Sequence, residues 1–255
     1  MRQMNRGWKI AGSLMVVGML ATVALAETKE TTESTAAKTR DGEAVQIEAV
    51  DIPTADILDP MTFATAFRFY SEGGIMSRLV LGPFKRLNLG VFFDAQRVIG
   101  GDDPHMVTPD IFVKIRFFDG TDIIPALALG YENQGYLYQE STTDFLQDER
   151  GLYLVGSHEI FLPDFELHAG MNIPKVDDAE LFGFFGATWK IVPSFALLAE
   201  YDNIRKAPSS RVNLGGRFWI NAAFNVDVAA RNVGRGDDRG AERIVRLNYT
   251  HKFPF

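Results

Sequence analysis

The sequence predicts an all-β fold: a transmembrane, antiparallel, up-and-down β-barrel of about 12 strands, following a signal peptide and a polar linker. Three observations predict it. Apolar and polar residues alternate through most of the chain after Met61, as on strands with two unlike faces. The connections between these runs are alternately short and long, as at the two rims of an outer-membrane barrel. The chain opens with an export signal and contains no cysteine, which fits a bacterial envelope protein that folds without disulfides.

Residues 1–26 read as the signal. Met1 to Lys9 is short and basic, Ile10 to Ala26 is apolar and uncharged, and Ala24-Leu25-Ala26 supplies small residues at the cut. The run is slightly short for a retained membrane helix. Removing Arg2, Arg6 and Lys9 with it leaves 23 bases against 33 acids, a balance that argues against a nucleic-acid binder. The absence of cysteine excludes disulfide scaffolds, thiolate metal sites and cysteine nucleophiles. Residues 27–60 are rich in Thr, Glu, Lys and Ala and almost lack aromatics, so they read as a disordered periplasmic arm. A short strand or clip near Val45 to Val50 is the one element that arm could form.

The barrel is expected over residues 61–255. In Arg86 to Gln96, Leu87, Leu89, Val91, Phe93 and Ala95 share one face, and Arg86, Asn88, Asp94 and Gln96 lie on the other. The same alternation runs through 111–117, 165–172, 195–202, 211–220, 224–231 and 244–255. Weaker strands are expected over Phe63 to Tyr70, Ile75 to Leu81, Pro125 to Tyr138, Gly151 to Leu162 and Leu181 to Lys190. Most would be about 8–11 residues long, enough to cross a bilayer on a tilt. Leu181 to Ala199 is the most apolar later stretch, but Lys190 and Pro193-Ser194 divide it into two strands. An even strand number puts both ends of the barrel on the short-turn, periplasmic side.

Alternation alone also fits a soluble periplasmic β-barrel binding protein, with the apolar face inward. The export signal and the mixed-charge second face favour lipid instead. So does the last strand, where Val245, Leu247, Tyr249, Phe253 and Phe255 share a face broken only by His251. Tyr249, Phe253 and the terminal Phe255 read as a signal to the barrel-assembly machinery, in an edge strand that closure protects.

Several strings carry a resemblance: Phe69-Tyr70-Ser71-Glu72-Gly73-Gly74, Phe117-Phe118-Asp119-Gly120, Pro125 through Tyr131, Gly151 through Ser157, and Ala199-Glu200-Tyr201-Asp202. The stretch from Ile57 through that last strand resembles small barrels related to the YjbH-type family, associated with exopolysaccharide export. The resemblance implies an outer-membrane location and a link to surface polysaccharide or its export proteins. It carries over no catalytic residues.

A 12-stranded barrel is wider than one just filled by its side chains and narrower than a porin. Lys114, Arg116, Arg211, Arg217, Arg231 and Arg246 should face the lumen with Asp94, Glu132, Glu166, Glu200, Asp202 and Asp227. They could line a solute path or neutralise one another, since buried charges need partners. The expected role is therefore non-enzymatic: envelope structure or a narrow polar conduit, in a monomer bound to outer-membrane lipid and lipopolysaccharide. One enzymatic alternative, a lipid or ester hydrolase, rests on a hairpin. A turn centred on Pro163-Asp164 sets Glu159 opposite His168 with Ser157 diagonal to it, and a serine, a histidine and an acid (Glu159 or Glu166) are the parts of a hydrolase site. The same register sends His168 to the lumen and His158 toward lipid. No cofactor or metal site is expected: the acidic pairs Asp102-Asp103, Asp177-Asp178 and Asp237-Asp238 have no calcium-loop spacing, and no phosphate loop or zinc spacing occurs.

Overall fold

The computed structural model describes residues 45–101, 103–139, 144–147, 150–175, 180–204, 210–233 and 241–253. The signal segment 1–26, residues 27–44 of the expected arm and Phe255 lie outside them, as do Asp102, Asp177, Asp178, Asp237 and Asp238. Fifteen strands occur among the described residues: β1 (Thr62–Tyr70), β2 (Gly74–Phe84), β3 (Leu87–Gln96), β4 (His105–Met106), β5 (Asp110–Phe118), β6 (Ala126–Glu132), β7 (Tyr136–Gln139), β8 (Asp144–Gln147), β9 (Gly151–Glu159), β10 (Phe165–Ile173), β11 (Phe182–Val192), β12 (Phe195–Asp202), β13 (Arg211–Trp219), β14 (Phe224–Arg231) and β15 (Glu242–Lys252). Twelve form one antiparallel ring in which β1 pairs with both β2 and β15, so no edge is left open. The short β4 extends the end of β3, and β7 and β8 form a separate hairpin inside the connection from β6 to β9. The strand expected over Pro125 to Tyr138 therefore ends at Glu132. Its remainder turns back as β7, because Asn133-Gln134-Gly135 breaks the run.

Thr62 pairs with Lys252, which puts the first and last barrel strands level at the short-turn rim. The tight turns use left-handed residues: Arg86 (φ 67°) between β2 and β3, and Phe161 (φ 58°) and Asp164 (φ 63°) between β9 and β10. At the opposite rim Gly151 opens β9 at φ +67°, and a Cβ there would stand 2.1 Å from the Ile173 carbonyl oxygen, so only glycine fits.

The barrel is inverted relative to a soluble protein. Phe93 is 44% exposed while its neighbour Asp94 is 1% exposed, and Leu197 is 44% exposed beside the fully buried Ala196. Every wall strand repeats this, because successive side chains point to opposite faces. A soluble barrel would hide the apolar face, so the polarity identifies a transmembrane barrel. Its short-turn rim carries an aromatic belt: Phe63 against Tyr249 (6.0 Å between ring centroids) and Phe253 (5.3 Å), Phe165 against Trp189 (6.3 Å), and Phe195 against Phe218 (4.8 Å). His251, which breaks the apolar row of β15, stacks on Tyr249 within this belt. His158 does face outward, opposite Leu167, but sits one residue from the end of β9, at the belt's level.

Candidate functional site: a lumen filled by residues 45–58

The larger departure from the sequence-based expectation is the segment before β1. Residues 45–58 are not a periplasmic arm; they run inside the barrel. Val45 and Gln46 lie beside Ala64, Asn248 and Thr250, in the half nearer the short-turn rim. The chain climbs to a turn at residues 49–52, where the Ala49 N–H donates to the Ile52 carbonyl (3.0 Å). It then descends, with the Thr54 N–H donating to Ile47 (3.2 Å) and Glu48 bridged to Pro53. It leaves past Asn88 at the start of β3 and reaches β1 at the same rim. The insert is thus a hairpin with both ends at one rim. Composition misses it because its apolar residues, Ile47, Val50, Ile52 and Leu58, are spaced for a turn and not for a two-faced strand. All four are buried.

The wall grips this hairpin through its backbone. Glu200 on β12 accepts from three consecutive N–H groups at the tip: Val50 (3.0 Å), Asp51 (2.9 Å) and Ile52 (3.1 Å). Asn213 donates to the same carboxylate (2.6 Å). Lys114 on β5, wholly buried, gives its three ammonium protons to the carbonyls of Ile47 (2.8 Å), Thr54 (3.0 Å) and Asp56 (2.8 Å). Arg246 donates to the carbonyls of Ala49 and Val50, Arg68 to Val50 (2.9 Å), Arg150 to Asp51 (3.3 Å) and Arg217 to Glu48 (3.3 Å). Buried peptide groups need such partners, and here the side chains of the wall supply them.

The hairpin's acids are held as well. Glu48 pairs with Arg246 and Arg78, and Arg68 stands 3.9 Å away. Burial alone would raise its pKa, but the three guanidinium groups outweigh it and bring it down to about 2. Asp51 pairs with Arg231 (2.5 Å) and Arg68 (3.0 Å), and burial is again outweighed, so its carboxyl titrates below the usual range.

Shape matches charge. A Cβ on Gly186 would lie 2.4 Å from Ile52 Cδ1, and one on Gly82 would lie 2.5 Å from the Asp59 carbonyl oxygen and 3.1 Å from Leu58 Cβ. These two wall glycines make the room the hairpin uses. A cavity of about 20 Å³ remains beside Glu48, Arg78 and Asn248, space for one water molecule.

The predicted lumen residues separate into groups. Asp227 accepts from Arg217 (2.7 Å) and Arg246 (2.8 Å), and Asp202 from Arg211 (3.0 Å) and from Arg150 (2.9 Å), a residue missed in the sequence because it precedes β9. Asp94 accepts from the Tyr70 hydroxyl (2.6 Å). Arg116 reaches Asp56 (3.6 Å) and Asp119 (3.3 Å) near the short-turn rim. Glu132 and Glu166 are half-buried: Glu132 ends β6 within the electrostatic reach of Arg150, and Glu166 lies near the start of β10. Arg231 joins the hairpin to the long-loop rim: it meets Asp51, pairs with Glu242 (3.2 Å) and lies 3.7 Å over the ring of Tyr136 on β7. Arg68 and Arg78, equally central, lie in two of the weaker expected strands and were not singled out.

Ser157 and His168 do meet, but not as expected. The β9–β10 register sets Ser157 directly opposite His168 and Glu159 opposite Glu166, because the turn centres one residue earlier than Pro163-Asp164. Ser157 Oγ lies 2.8 Å from His168 Nδ1, and His168 Nε2 lies 3.2 Å from Thr188 Oγ1. Thr188 occupies the place where a triad would have its acid. The serine also accepts from the Ala55 N–H (2.7 Å), which ties it to the hairpin. Neither Glu159 nor Glu166 orients His168.

The geometry defines a class: a 12-stranded transmembrane barrel with a polar lumen. Among solved structures, the chain is similar to the KdgM porin, at 12% identity over 76% of this chain and 99% of that one, with a TM-score of 0.47. It is similar to the NanC porin at 10% identity over 75% of this chain and 100% of that one, with a TM-score of 0.40. An outer-membrane channel of Acinetobacter baumannii, DcaP, shows 7% identity over 75% of this chain and 95% of that one, with a TM-score of 0.27. No protein-family model and no curated protein matches the sequence.

Proposed function

We propose that this chain is a narrow polar conduit of the outer membrane whose resting state is closed by its own 45–58 hairpin. The observation that carries this reading is how the lumen is filled. Among the described residues the hairpin adds no backbone pairing to the wall; its grip consists of side-chain bonds and buried ion pairs. Both its ends pass the same rim, so it can leave as a unit without unpairing one rung of the barrel. Buried ion pairs are weak contributors to stability, and a switch is a well-attested use for them. In planar bilayers the full chain should be mostly closed, and E48A/D51A should open it far more often. A folded double variant as silent as the parent would overturn the conduit and leave a structural role.

The link to exopolysaccharide export extends the proposal and rests on the sequence resemblance. A strain lacking the protein should lose or alter surface polysaccharide. Lipid and lipopolysaccharide at the apolar belt, and the assembly machinery at Tyr249 and Phe253, are the partners the surface suits. Hydrolysis is the weaker reading, since His168 has a threonine where an acid would be needed. Lipid or ester hydrolysis by purified protein, abolished by His168→Ala, would revive it.

A further inference from the structure

We infer that the lumen is a peptide-binding site: it recognises an acidic, hairpin-forming peptide by backbone as well as charge, and residues 45–58 are the occupant it carries in cis. This rests on the closed-conduit reading, because a trans ligand can enter only where the hairpin can leave.

Charge alone does not describe the site. Two carboxylates, from Glu48 and Asp51, account for the ion pairs to Arg68, Arg78, Arg231 and Arg246. The wall also spends a buried lysine entirely on three peptide carbonyls and a buried carboxylate on three successive peptide N–H groups. Three carbonyls converging on one ammonium while three neighbouring N–H groups converge on one carboxylate is the signature of a folded peptide turn. A run of charges without a backbone cannot satisfy Glu200 in this way. The side-chain fit adds selectivity, with Ile52 seated over Gly186 and Leu58 over Gly82. The site would therefore accept a turn whose tip carries an acid, with a second acid three residues earlier and apolar residues beside them.

The wall is asymmetric in a way that suits exchange. Asp202 pairs with Arg150 and Arg211, and Asp227 with Arg217, within the wall itself. Arg68 and Arg78, on the adjoining strands β1 and β2, and Lys114, on β5 beyond β3, take their close acceptors from the hairpin. Withdrawal would leave this stripe open to the next ligand of the same chemistry.

The test keeps the full chain. A protease site is placed between Asp59 and Met61, where both side chains are well exposed, and is cut after folding. The barrel's heat-modifiable gel mobility reports that it stays folded. A fluorescent synthetic peptide of residues 45–58 is then added, alone or against competitors. The inference expects this peptide to exchange with the cut segment and block conductance, and expects the E48K/D51K peptide to compete about 100-fold less well. Uncut E48A/D51A protein should take up the added peptide too. Failure of the peptide to bind a folded, cut, conducting barrel would overturn the inference while sparing the conduit. Equal block by an acidic oligosaccharide or by a scrambled peptide of the same charge would also overturn it, since the site would then read charge only. Peptide exchange on a barrel that never conducts would uphold the site and remove the conduit.

Discussion

The two sides of the lumen hold their charges differently. Across β9 to β15 the wall supplies acids of its own: Asp227 takes Arg217 and Arg246, and Asp202 takes Arg150 and Arg211, while Arg246 and Arg231 also reach Glu48 and Asp51 of the hairpin. Across β1 to β5, Arg68, Arg78 and Lys114 have no such wall acid and turn to the hairpin for their close acceptors. The difference teaches which charges hold the barrel and which hold its occupant. A charge paired only in the wall is part of the scaffold, one paired only with the hairpin depends on the state of the lumen, and Arg231 and Arg246 join the two.

Breaking the wall's own acid–arginine pairs should cost most. Asp227→Ala removes the wall acid that Arg217 and Arg246 share in a buried site, and losing one partner of such a network typically costs about 3–5 kcal/mol. Denaturant unfolding followed by heat-modifiable mobility should show a large loss, or no folded protein. On the dependent side, Lys114→Met should spare the barrel and loosen the hairpin. Three carbonyls lose their donor, at about 1–3 kcal/mol each if they stay dry. Limited proteolysis within residues 45–58 should then speed up while unfolding of the barrel changes little. Equal damage to barrel and hairpin would erase the distinction between the two sides.

Acid should act on the dependent side first. Glu48 is held at about 2 against an ordinary 4.5, so it contributes to seating fully above about pH 4.5 and loses that contribution as pH falls toward 2. Asp51 is shifted the same way. Protease access to the hairpin should rise as pH falls below about 4, where these two acids begin to lose their charge. The smallest effect belongs to the exposed Lys252–Asp59 pair, at 3.7 Å: Lys252→Ala should change stability by no more than about 1 kcal/mol.

The barrel was legible because a two-residue period is a strong signal wherever both faces are constrained, as in β3, where Phe93 and Asp94 cannot trade places. The β9–β10 register was less so, since a turn's centre can move by one residue without changing which face a side chain takes, and Glu159 was misplaced for that reason. The hairpin was the least legible. Residues 45–58 look like a linker because their acids suggest solvent, and nothing local reveals that four arginines and a lysine wait on strands far along the chain. The alternation hinted at it: Arg68 and Arg78 also face the lumen and enlarge its cationic side, and a basic lumen in an acidic chain calls for an acidic occupant.

Hydrogen exchange at the hairpin tip tests the central claim most directly. With the full chain folded in detergent, the amides of Val50, Asp51 and Ile52, each bonded to Glu200, should exchange at least about 1,000-fold more slowly than in a free peptide of the same sequence. Exchange at the free-peptide rate, in protein whose β-ladder amides stay protected, would contradict a lumen closed by this segment.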